Sequence, residues 1–382
     1  MDFELTEEQN MIRETVRDFA EREIKPLAKE LDEKSQFSIE LTKRMGELGL
    51  FGMYVEPEYG GQGLDTLSYI IAVEEIARID GSQAATLAAH NSLGIGPLSD
   101  YGTEEQKKKY LPRLCTGEAL WGFGLTEPEA GSDSRGTKTR AELKNGEWII
   151  NGSKIFITNA SSPITIGSTV QAVTHINNDG SKEYTTIIVE QNTPGFKAVP
   201  MHGKMMWRAS DTAELYFDDC RVPEKNLLGE IGKGSRIMLH TLDGGRLSIA
   251  AMGLGCAQGA FEQALQYAKE RKQFGKAIIK FQVNAFKFAD MSLKIELARN
   301  LLYKACWLKD TGKAYGKESA MAKLYCSEVA REVADEALQI HGGYGLMKDY
   351  DIERFYRDQR LLQIGEGTSE IQRLVISRYI GC

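Results

Sequence analysis

The chain is poor in cysteine, histidine and proline and has no long apolar segment. It contains six cysteines and nine prolines in 382 residues, and no two cysteines form a CxxC pair. A metal site or a disulfide framework is therefore not indicated. No stretch approaches the roughly 18 apolar residues of a membrane span, and the first residues lack an apolar leader. We expect a reduced, cytoplasmic protein with no membrane segment.

Positive charge is not in excess either. The chain has 47 Lys and Arg against 54 Asp and Glu, a net charge of -7. This balance argues against nucleic acid or an anionic membrane surface as a partner. Because 42% of the residues are hydrophobic, the chain can bury a large core, and its length predicts two or three domains.

Hydrophobic periodicity divides the chain into three parts. Residues 1–119 follow the 3.6-residue period of helices, residues 120–225 alternate with the period of two that strands have, and residues 226–382 return to the helical period. The predicted fold class is α+β multidomain. It comprises an N-terminal α-helical domain, a middle antiparallel β-domain and a C-terminal four-helix bundle.

Local signals mark the ends of several elements. Thr6 and Gln9 predict a capping box at the first helix. Asn145-Gly146 and Asn151-Gly152 predict tight hairpin turns between strands. In the last part, helices are predicted at about 232–270, 279–311, 316–340 and 350–360.

A lone carboxylate, Glu366, stands between Gly365 and Gly367 near the C-terminus. The two glycines let the backbone bend sharply and let another molecule approach closely. Thr368 predicts the N-cap of a helix that starts at Ser369. A glutamate in such a place is usually a solvated acid favoured by the helix dipole. The motif alone leaves both a solvated acid and a catalytic base open.

Nucleotide-binding glycine motifs are absent in their usual form. Gly253, Gly255 and Gly259 have the wrong last spacing for a dinucleotide fingerprint and lie inside a helical run. Close helix packing is the better interpretation of these glycines. The segment EIGKGSR, residues 230–236, lacks the P-loop consensus, which disfavours NTP hydrolysis.

Five motifs follow one another along the chain. They are GFGLTEPEAGSD (122–133), KIFITNA (154–160), ERKQFGK (270–276), QIHGGYG (339–345) and EGTSEIQ (366–372), after an opening FELTEEQ (3–9). Their order and spacing resemble the acyl-CoA dehydrogenase family over essentially the whole chain. The resemblance implies a three-domain enzyme that uses FAD to convert an acyl-CoA thioester into a 2,3-enoyl-CoA.

The resemblance gives Glu366 the role of catalytic base. It would remove the α-proton while a β-hydride passes to flavin N5, and its backbone N–H would hold the thioester oxygen together with a ribityl hydroxyl of FAD. An apolar cleft would raise the pKa of this carboxyl toward working pH. Some relatives carry the base at the position of Gly245, which cannot serve here.

The resemblance also implies a set of cofactor contacts. From the residues themselves, the fixed charge of Arg271 and the backbone N–H groups of a glycine turn would suit a pyrophosphate. Each of these features also has a purely structural interpretation. Phe156 could belong to a strand core, Arg271 could form a surface ion pair, and the glycines could form an ordinary turn between helices. The implied FAD contacts are Phe123, Leu125, Thr126, Phe156, Thr158, Thr368 and Glu370, with Arg271, Gln273, Phe274, Gln339 and Gly343 reaching the FAD of a neighbouring subunit.

The implied substrate contacts are Ser132, Asp243, Arg246, Gly365 and Gly367. Asp243 and Arg246 lie three apart at a predicted helix start, so a solvated ion pair is their plain alternative. His90 is expected to be structural.

Two departures from the family pattern bear on the acyl group. Gly365 stands where many short- and medium-chain relatives have Tyr, and Trp207 is expected to reshape another wall. These features favour a wide, short pocket for a branched or alicyclic acyl group such as cyclohexane-1-carboxyl-CoA.

The expected partners follow from the resemblance as well. They are an acyl-CoA substrate, an electron-transfer flavoprotein as electron acceptor, and further copies of the chain in a homo-oligomer, with a tetramer expected. Two alternatives stay open at this point: an acyl-CoA oxidase that uses O₂, and a non-catalytic CoA-binding scaffold.

Overall fold

The first part of the protein is helical, as predicted. The structure is a computed structural model that describes residues 4–382, so Phe3 of the opening motif lies outside the described residues. Thr6 accepts the Gln9 backbone N–H at 3.1 Å and the Gln9 side chain accepts the Thr6 N–H at 3.1 Å, which confirms the capping box. The helices are α1 (Glu7–Phe19), α2 (Lys25–Lys34), α3 (Ile39–Glu47), α4 (Thr66–Ala77), α5 (Gly81–Ala89), α6 (Gly96–Tyr101) and α7 (Glu104–Cys115).

The middle part is a single sheet whose strand pairing differs in part from the prediction. Its strands are β1 (Leu120–Gly124), β2 (Arg140–Lys144), β3 (Glu147–Thr158), β4 (Thr165–Ile176), β5 (Lys182–Glu190), β6 (Phe196–Pro200), β7 (Thr212–Pro223) and β8 (Leu227–Leu228). The order is β6-β7-β3-β2-β4-β5-β8, and β1 pairs with β4. The β-domain is confirmed, but both β1 and β2 run parallel to β4, so the sheet is mixed rather than purely antiparallel. The β2–β3 hairpin lies between β1 and β4 in sequence, and the long connection permits parallel pairing.

One of the two predicted Asn-Gly turns is a turn and the other is a bulge. Asn145 and Gly146 have φ of 53° and 78° and join β2 to β3 as predicted. Asn151-Gly152 lies inside β3, where the register against β7 shifts, so the turn prediction there is wrong. A Cβ at Gly152 would lie 2.5 Å from the Thr139 Oγ1 atom. The glycine thus permits close approach of two backbones instead of a chain reversal.

The last part is again helical. It contains α8 (Gly234–Glu270), a small hairpin of β9 (Lys272–Gln273) and β10 (Lys276–Ala277), α9 (Gln282–Asp310), α10 (Gly316–His341), α11 (Ile352–Asp358) and α12 (Ser369–Tyr379). Three of the predicted segments are long helices. The fourth is the seven-residue α11 followed by a 3₁₀ turn, Gln359–Gln363. Helix α4 of the first part packs against α8 and α9, and both helical parts share one apolar core.

Glycines in α8 allow this close packing, which confirms the interpretation of Gly253, Gly255 and Gly259. A Cβ at Gly255 would lie 2.2 Å from the Glu74 carbonyl oxygen, and one at Gly259 would lie 2.0 Å from that of Arg78. No helix within residues 4–382 is long and apolar enough to cross a membrane.

Helix α11 ties the three parts together just before the Glu366 turn. Arg354 pairs with Asp80 of the first part at 2.6 Å, and both groups are buried. Asp358 accepts the backbone N–H of Trp207, from the loop between β6 and β7, at 2.8 Å. These bonds fix where the chain enters the segment that carries Glu366.

Gly255→Ala tests the packing of α8 on α4. The new methyl group would meet backbone that cannot move away, and we expect the free energy of unfolding to fall by about 1–3 kcal/mol. Gly244→Ala is the control in the same helix, since its Cβ would meet only the Lys309 Nζ, at 3.7 Å. Helix propensity predicts an unchanged stability or a gain of up to ~1 kcal/mol there. Equal urea unfolding curves for the two variants would contradict the packing described.

Candidate active site

Glu366 occupies a strained turn between α11 and α12. Its φ is +52° and that of Gly367 is +94°, so both residues are left-handed. A non-glycine residue rarely adopts this conformation and keeps it only where its surroundings hold it. The Thr368 side chain accepts the backbone N–H of Ile371 at 3.3 Å, which confirms the predicted N-cap of α12.

The carboxylate of Glu366 points into the protein. Its Oε2 atom is shielded from solvent and has no hydrogen-bond partner within residues 4–382. A Cβ at Gly245 of α8 would lie 2.0 Å from this oxygen and 3.2 Å from the Leu93 side chain. The carboxylate therefore fills the space that the missing side chain of Gly245 leaves.

Burial changes the acidity of this carboxyl. It raises the pKa of Glu366 to about 7, while the charges of Lys323 and Arg246 act in the opposite direction. The direction is the one that the sequence predicted. A solvated acid would have neither the shielded oxygen nor the raised pKa, so that interpretation of Glu366 is wrong.

Arg246 lies near this carboxylate and pairs with Asp243, and both residues stand well inside α8 and not at its start as predicted. The Arg246 guanidinium donates to Asp243 and is buried, while its Nε has no partner among the described residues. The pair is thus not a solvated ion pair. A buried guanidinium with a free N–H can bind an anionic or carbonyl group of a ligand.

The two β-domain motifs meet at a buried ion pair that the sequence did not indicate. Lys154 of β3 donates to the Glu127 carboxylate at 2.8 Å and to the Leu125 carbonyl at 3.1 Å. The Thr126 carbonyl accepts the Ile155 N–H at 3.0 Å. These bonds fix the loop after β1 against β3. Phe123 is buried near the end of β1, and Ser132 is exposed farther along the loop.

Phe156 is not a core residue of β3, so the purely structural interpretation of this residue is wrong. Its φ is +61°, at a register shift of β3 against β7, and 63% of its surface is exposed. Such a conformation is an outlier for a bulky residue and is typical of ligand-contacting positions. Thr158 follows at the end of β3, half-buried and opposite Thr212.

A second group of predicted residues gathers at the far end of α8. Arg271, Gln273 and Gly343 line one cleft of about 450 Å³, next to His341 and Tyr344. The Arg271 guanidinium lies over the Tyr344 ring at 5.2 Å. The structure thus brings these three predicted residues together.

The remaining predicted residues lie on exposed surfaces. Gln339 is in the last turn of α10, and Phe274 is 93% exposed with a φ of +50°. Glu370 is exposed in the first turn of α12. His90 is buried and contacts the Leu114 carbonyl at 3.0 Å, in keeping with a structural role.

Sequence reasoning missed four residues around Glu366. Tyr69 of α4 and Leu93 belong to apolar helical patterns that reveal no function. Lys323 of α10 and Gln372 of α12 are buried and bond to the turn. A signal for Lys323 existed, because this lysine stands on the buried face of α10 at helical spacing from Ser319 and Cys326.

Family models match nearly the whole chain. They are the N-terminal domain of acyl-CoA dehydrogenase at residues 6–118, the middle domain at 122–220 and the C-terminal domain at 232–381. The three matched ranges coincide with the helical, sheet and helical parts of the structure. The chain belongs to the acyl-CoA dehydrogenase family, which confirms the resemblance of the five motifs.

Individual relatives are similar over their full length. A short-chain-specific acyl-CoA dehydrogenase of Clostridium acetobutylicum is 48% identical, over 99% of this chain and 99% of its own. The structure of butyryl-CoA dehydrogenase from Megasphaera elsdenii is 44% identical with a TM-score of 0.96, covering 100% of both chains. A chain in a structure of the electron-transferring flavoprotein of Acidaminococcus fermentans is 46% identical, with a TM-score of 0.96 and 100% of both chains covered.

Gly245→Ala tests the placement of the carboxylate. The methyl group would displace the Glu366 Oε2 atom, which is the end of a flexible side chain, so we expect little loss of stability. In the role of base that the resemblance implies, a displaced carboxylate would be misplaced for proton transfer, and we expect turnover of an acyl-CoA to fall about 100-fold. Gly244→Ala again serves as the control. Wild-type turnover in Gly245→Ala would contradict this geometry.

Proposed function

We propose that the protein is an FAD-dependent acyl-CoA dehydrogenase with Glu366 as its base and a short acyl-CoA as its substrate. One observation carries the proposal: the Glu366 Oε2 atom is buried without a partner among residues 4–382, and this burial raises the pKa of the carboxyl to about 7. The α-hydrogens of a thioester are weakly acidic. A base that titrates near neutral pH and is kept from water suits their removal.

The chain's own residues can divide the work as follows. Glu366 would take the α-proton at its free carboxylate oxygen, and its backbone N–H would donate to the thioester oxygen as negative charge develops. Arg246, Asp243 and Ser132 would bind the CoA part, with Gly365 and Gly367 leaving room at the reacting carbons. When bound, FAD supplies the acceptor for the β-hydride.

The residues present fit FAD. Phe156 offers an exposed aromatic face beside the loop that Lys154 and Glu127 fix, where the flavin would also meet Phe123, Leu125, Thr126 and Thr158. We assign Thr368 and Glu370, at the start of α12, to the same cofactor. The cleft at Arg271 offers a charge and a glycine turn to a pyrophosphate.

The two halves of the proposed cofactor site are far apart in one chain. Arg271 and Gly245 are 26 residues apart along α8, a distance of about 39 Å at ~1.5 Å per residue. One dinucleotide cannot extend from the Glu366 region to that cleft. We infer that Arg271, Gln273, Phe274, Gln339 and Gly343 bind the FAD of a neighbouring subunit.

Exposed apolar side chains support such an assembly. Val283, Phe286, Leu293 and Leu297 of α9 are each more than half exposed, and Phe274 is nearby in sequence. Apolar surface of this kind is typical of contacts between proteins. We propose a homo-oligomer, with a tetramer as its form.

A short acyl chain is proposed from the relatives, which are named for short-chain and butyryl substrates. The expected alicyclic group finds no support among them. Trp207 packs against Gly81 and lines a small cavity with Asp358, and a Cβ at Gly365 would lie 3.1 Å from the Leu361 side chain. Leu361 therefore limits the room that the glycine leaves.

We propose an electron-transfer flavoprotein as the electron acceptor, supported by the similar chain in the Acidaminococcus structure. No feature of the described residues favours an oxidase, and a silent scaffold would not need a buried, unpartnered carboxylate. Six unpaired cysteines agree with a cytoplasmic location, which we also propose.

Glu366→Gln tests the proposed base. The amide keeps the shape but cannot take a proton, so we expect FAD to stay bound while the rate of flavin bleaching by butyryl-CoA falls by about 10²–10⁴. Glu118→Gln, at an exposed surface glutamate, is the matched control and should bleach like the wild type. Persistent bleaching in Glu366→Gln would show that another group is the base, and a protein that cannot be loaded with FAD would overturn the enzyme assignment.

A substrate panel tests the acyl group. We expect kcat/KM to be highest for butyryl-CoA, and lower for isobutyryl-CoA, octanoyl-CoA and cyclohexane-1-carboxyl-CoA. Each reaction is followed with an artificial electron acceptor, and O₂ consumption is measured in parallel. A preference for the cyclohexane compound would contradict the short-chain proposal, and rapid O₂ consumption would favour an oxidase.

A further inference from the structure

Two buried side chains hold the turn that presents Glu366. The Lys323 Nζ donates to the Gly367 carbonyl at 2.6 Å, and the Gln372 Nε2 donates to the carbonyls of Gly367 and Glu366 at 3.0 and 3.2 Å. Neither side chain is exposed, at 0% each. We propose that Lys323 and Gln372 are positioning residues that hold Glu366 in its left-handed conformation, and that the charge of Lys323 favours the deprotonated form of Glu366. The inference rests on the proposed role of Glu366.

The first part of the proposal, the positioning of Glu366 (the positioning half), follows from the backbone. Glu366 and Gly367 are both left-handed, a conformation that for a glutamate is unfavourable and is kept only by surrounding contacts. Bonds from α10 and α12 to the two consecutive carbonyls fix both peptide planes of the turn. These planes determine where the Glu366 side chain points and where its N–H lies.

The second part, the effect of the Lys323 charge on Glu366 (the electrostatic half), follows from the groups that surround the carboxylate. Lys323 faces it from α10, Arg246 from α8 and Tyr69 from α4, and Glu370 of α12 acts on Lys323. Burial lowers the pKa of Lys323 to about 8, and the Glu366 charge opposes that effect. Lys323 therefore still carries its charge at pH 7. Without it, Arg246 alone would oppose the effect of burial on Glu366.

The pH dependence of kcat/KM separates the two halves, because it reports the groups of the free enzyme. The base must be deprotonated to act, so activity rises with pH through the pKa of Glu366. Lys323→Met and Lys323→Gln remove the charge, and we expect this rise to move at least one pH unit higher. The decrease in kcat/KM relative to the wild type should thus be about tenfold greater at pH 6 than at pH 8.5. Lys323→Arg keeps the charge and should leave the rise in place.

Gln372→Leu removes the other bonds without changing charge. We expect kcat to fall about tenfold at every pH. The increase of kcat/KM with pH should have the same midpoint as in the wild type. Lys204→Met is the matched control, since Lys204 is another largely buried lysine that donates to a backbone carbonyl, that of Ser210. Lys204→Met should leave the pH midpoint of kcat/KM unchanged, even if it lowers thermal stability.

The outcomes decide between the claims. All measurements use holoenzyme and butyryl-CoA. A neutral Lys323 variant that keeps the wild-type pH profile overturns the electrostatic half, and wild-type kcat in Gln372→Leu overturns the positioning half. If Lys323→Met does not fold, Lys323→Gln tests the charge. Wild-type turnover that survives in Glu366→Gln would instead refute the proposed base, and this result is separate from those of the Lys323 variants.

Discussion

The burial of one carboxylate against a helix that lacks a side chain is the constraint on which the site depends. Glu366 Oε2 occupies the space next to Gly245, out of solvent and without a hydrogen-bond partner among the described residues. An isolated buried charge is unfavourable, so the carboxyl takes up protons more readily than in water. Lys323 and Arg246 limit that effect. The balance leaves a group that can exchange a proton near neutral pH.

The rest of the fold brings the elements around this carboxylate together. Helices α4, α8 and α10 share one apolar core, and glycines in α8 let α4 approach closely. The buried ion pair of Arg354 in α11 with Asp80 then attaches the segment before Glu366 to the first part of the chain. Asp358 in this network is itself strongly buried, which raises its pKa to about 7. The polar groups of α11 thus fix one path for the chain, whereas apolar packing alone would allow several paths.

Local signals in the sequence predicted what depends on local physics. The three-part division, the capping box at Thr6, the N-cap at Thr368 and the helix-packing glycines were all predictable from spacing and residue type. The parallel pairing of β1, the bulge at Gly152 and the contacts of Lys323 were not. Each depends on residues distant in sequence. Helical spacing could place Lys323 on the buried face of α10, but it could not show that Gly367 is its partner. The roles of the cofactor and substrate residues stay predictions, since they concern molecules that must bind.

The most direct test of the account is the pH dependence of flavin reduction by butyryl-CoA in the wild-type holoenzyme. Rapid mixing without oxygen measures the rate constant from the loss of flavin absorbance, and dividing its low-substrate value by substrate concentration gives the second-order constant. The account predicts that this constant rises with pH about a midpoint near 7, the pKa of Glu366. A midpoint near ~4.3, the ordinary value of a solvated glutamate, would contradict it.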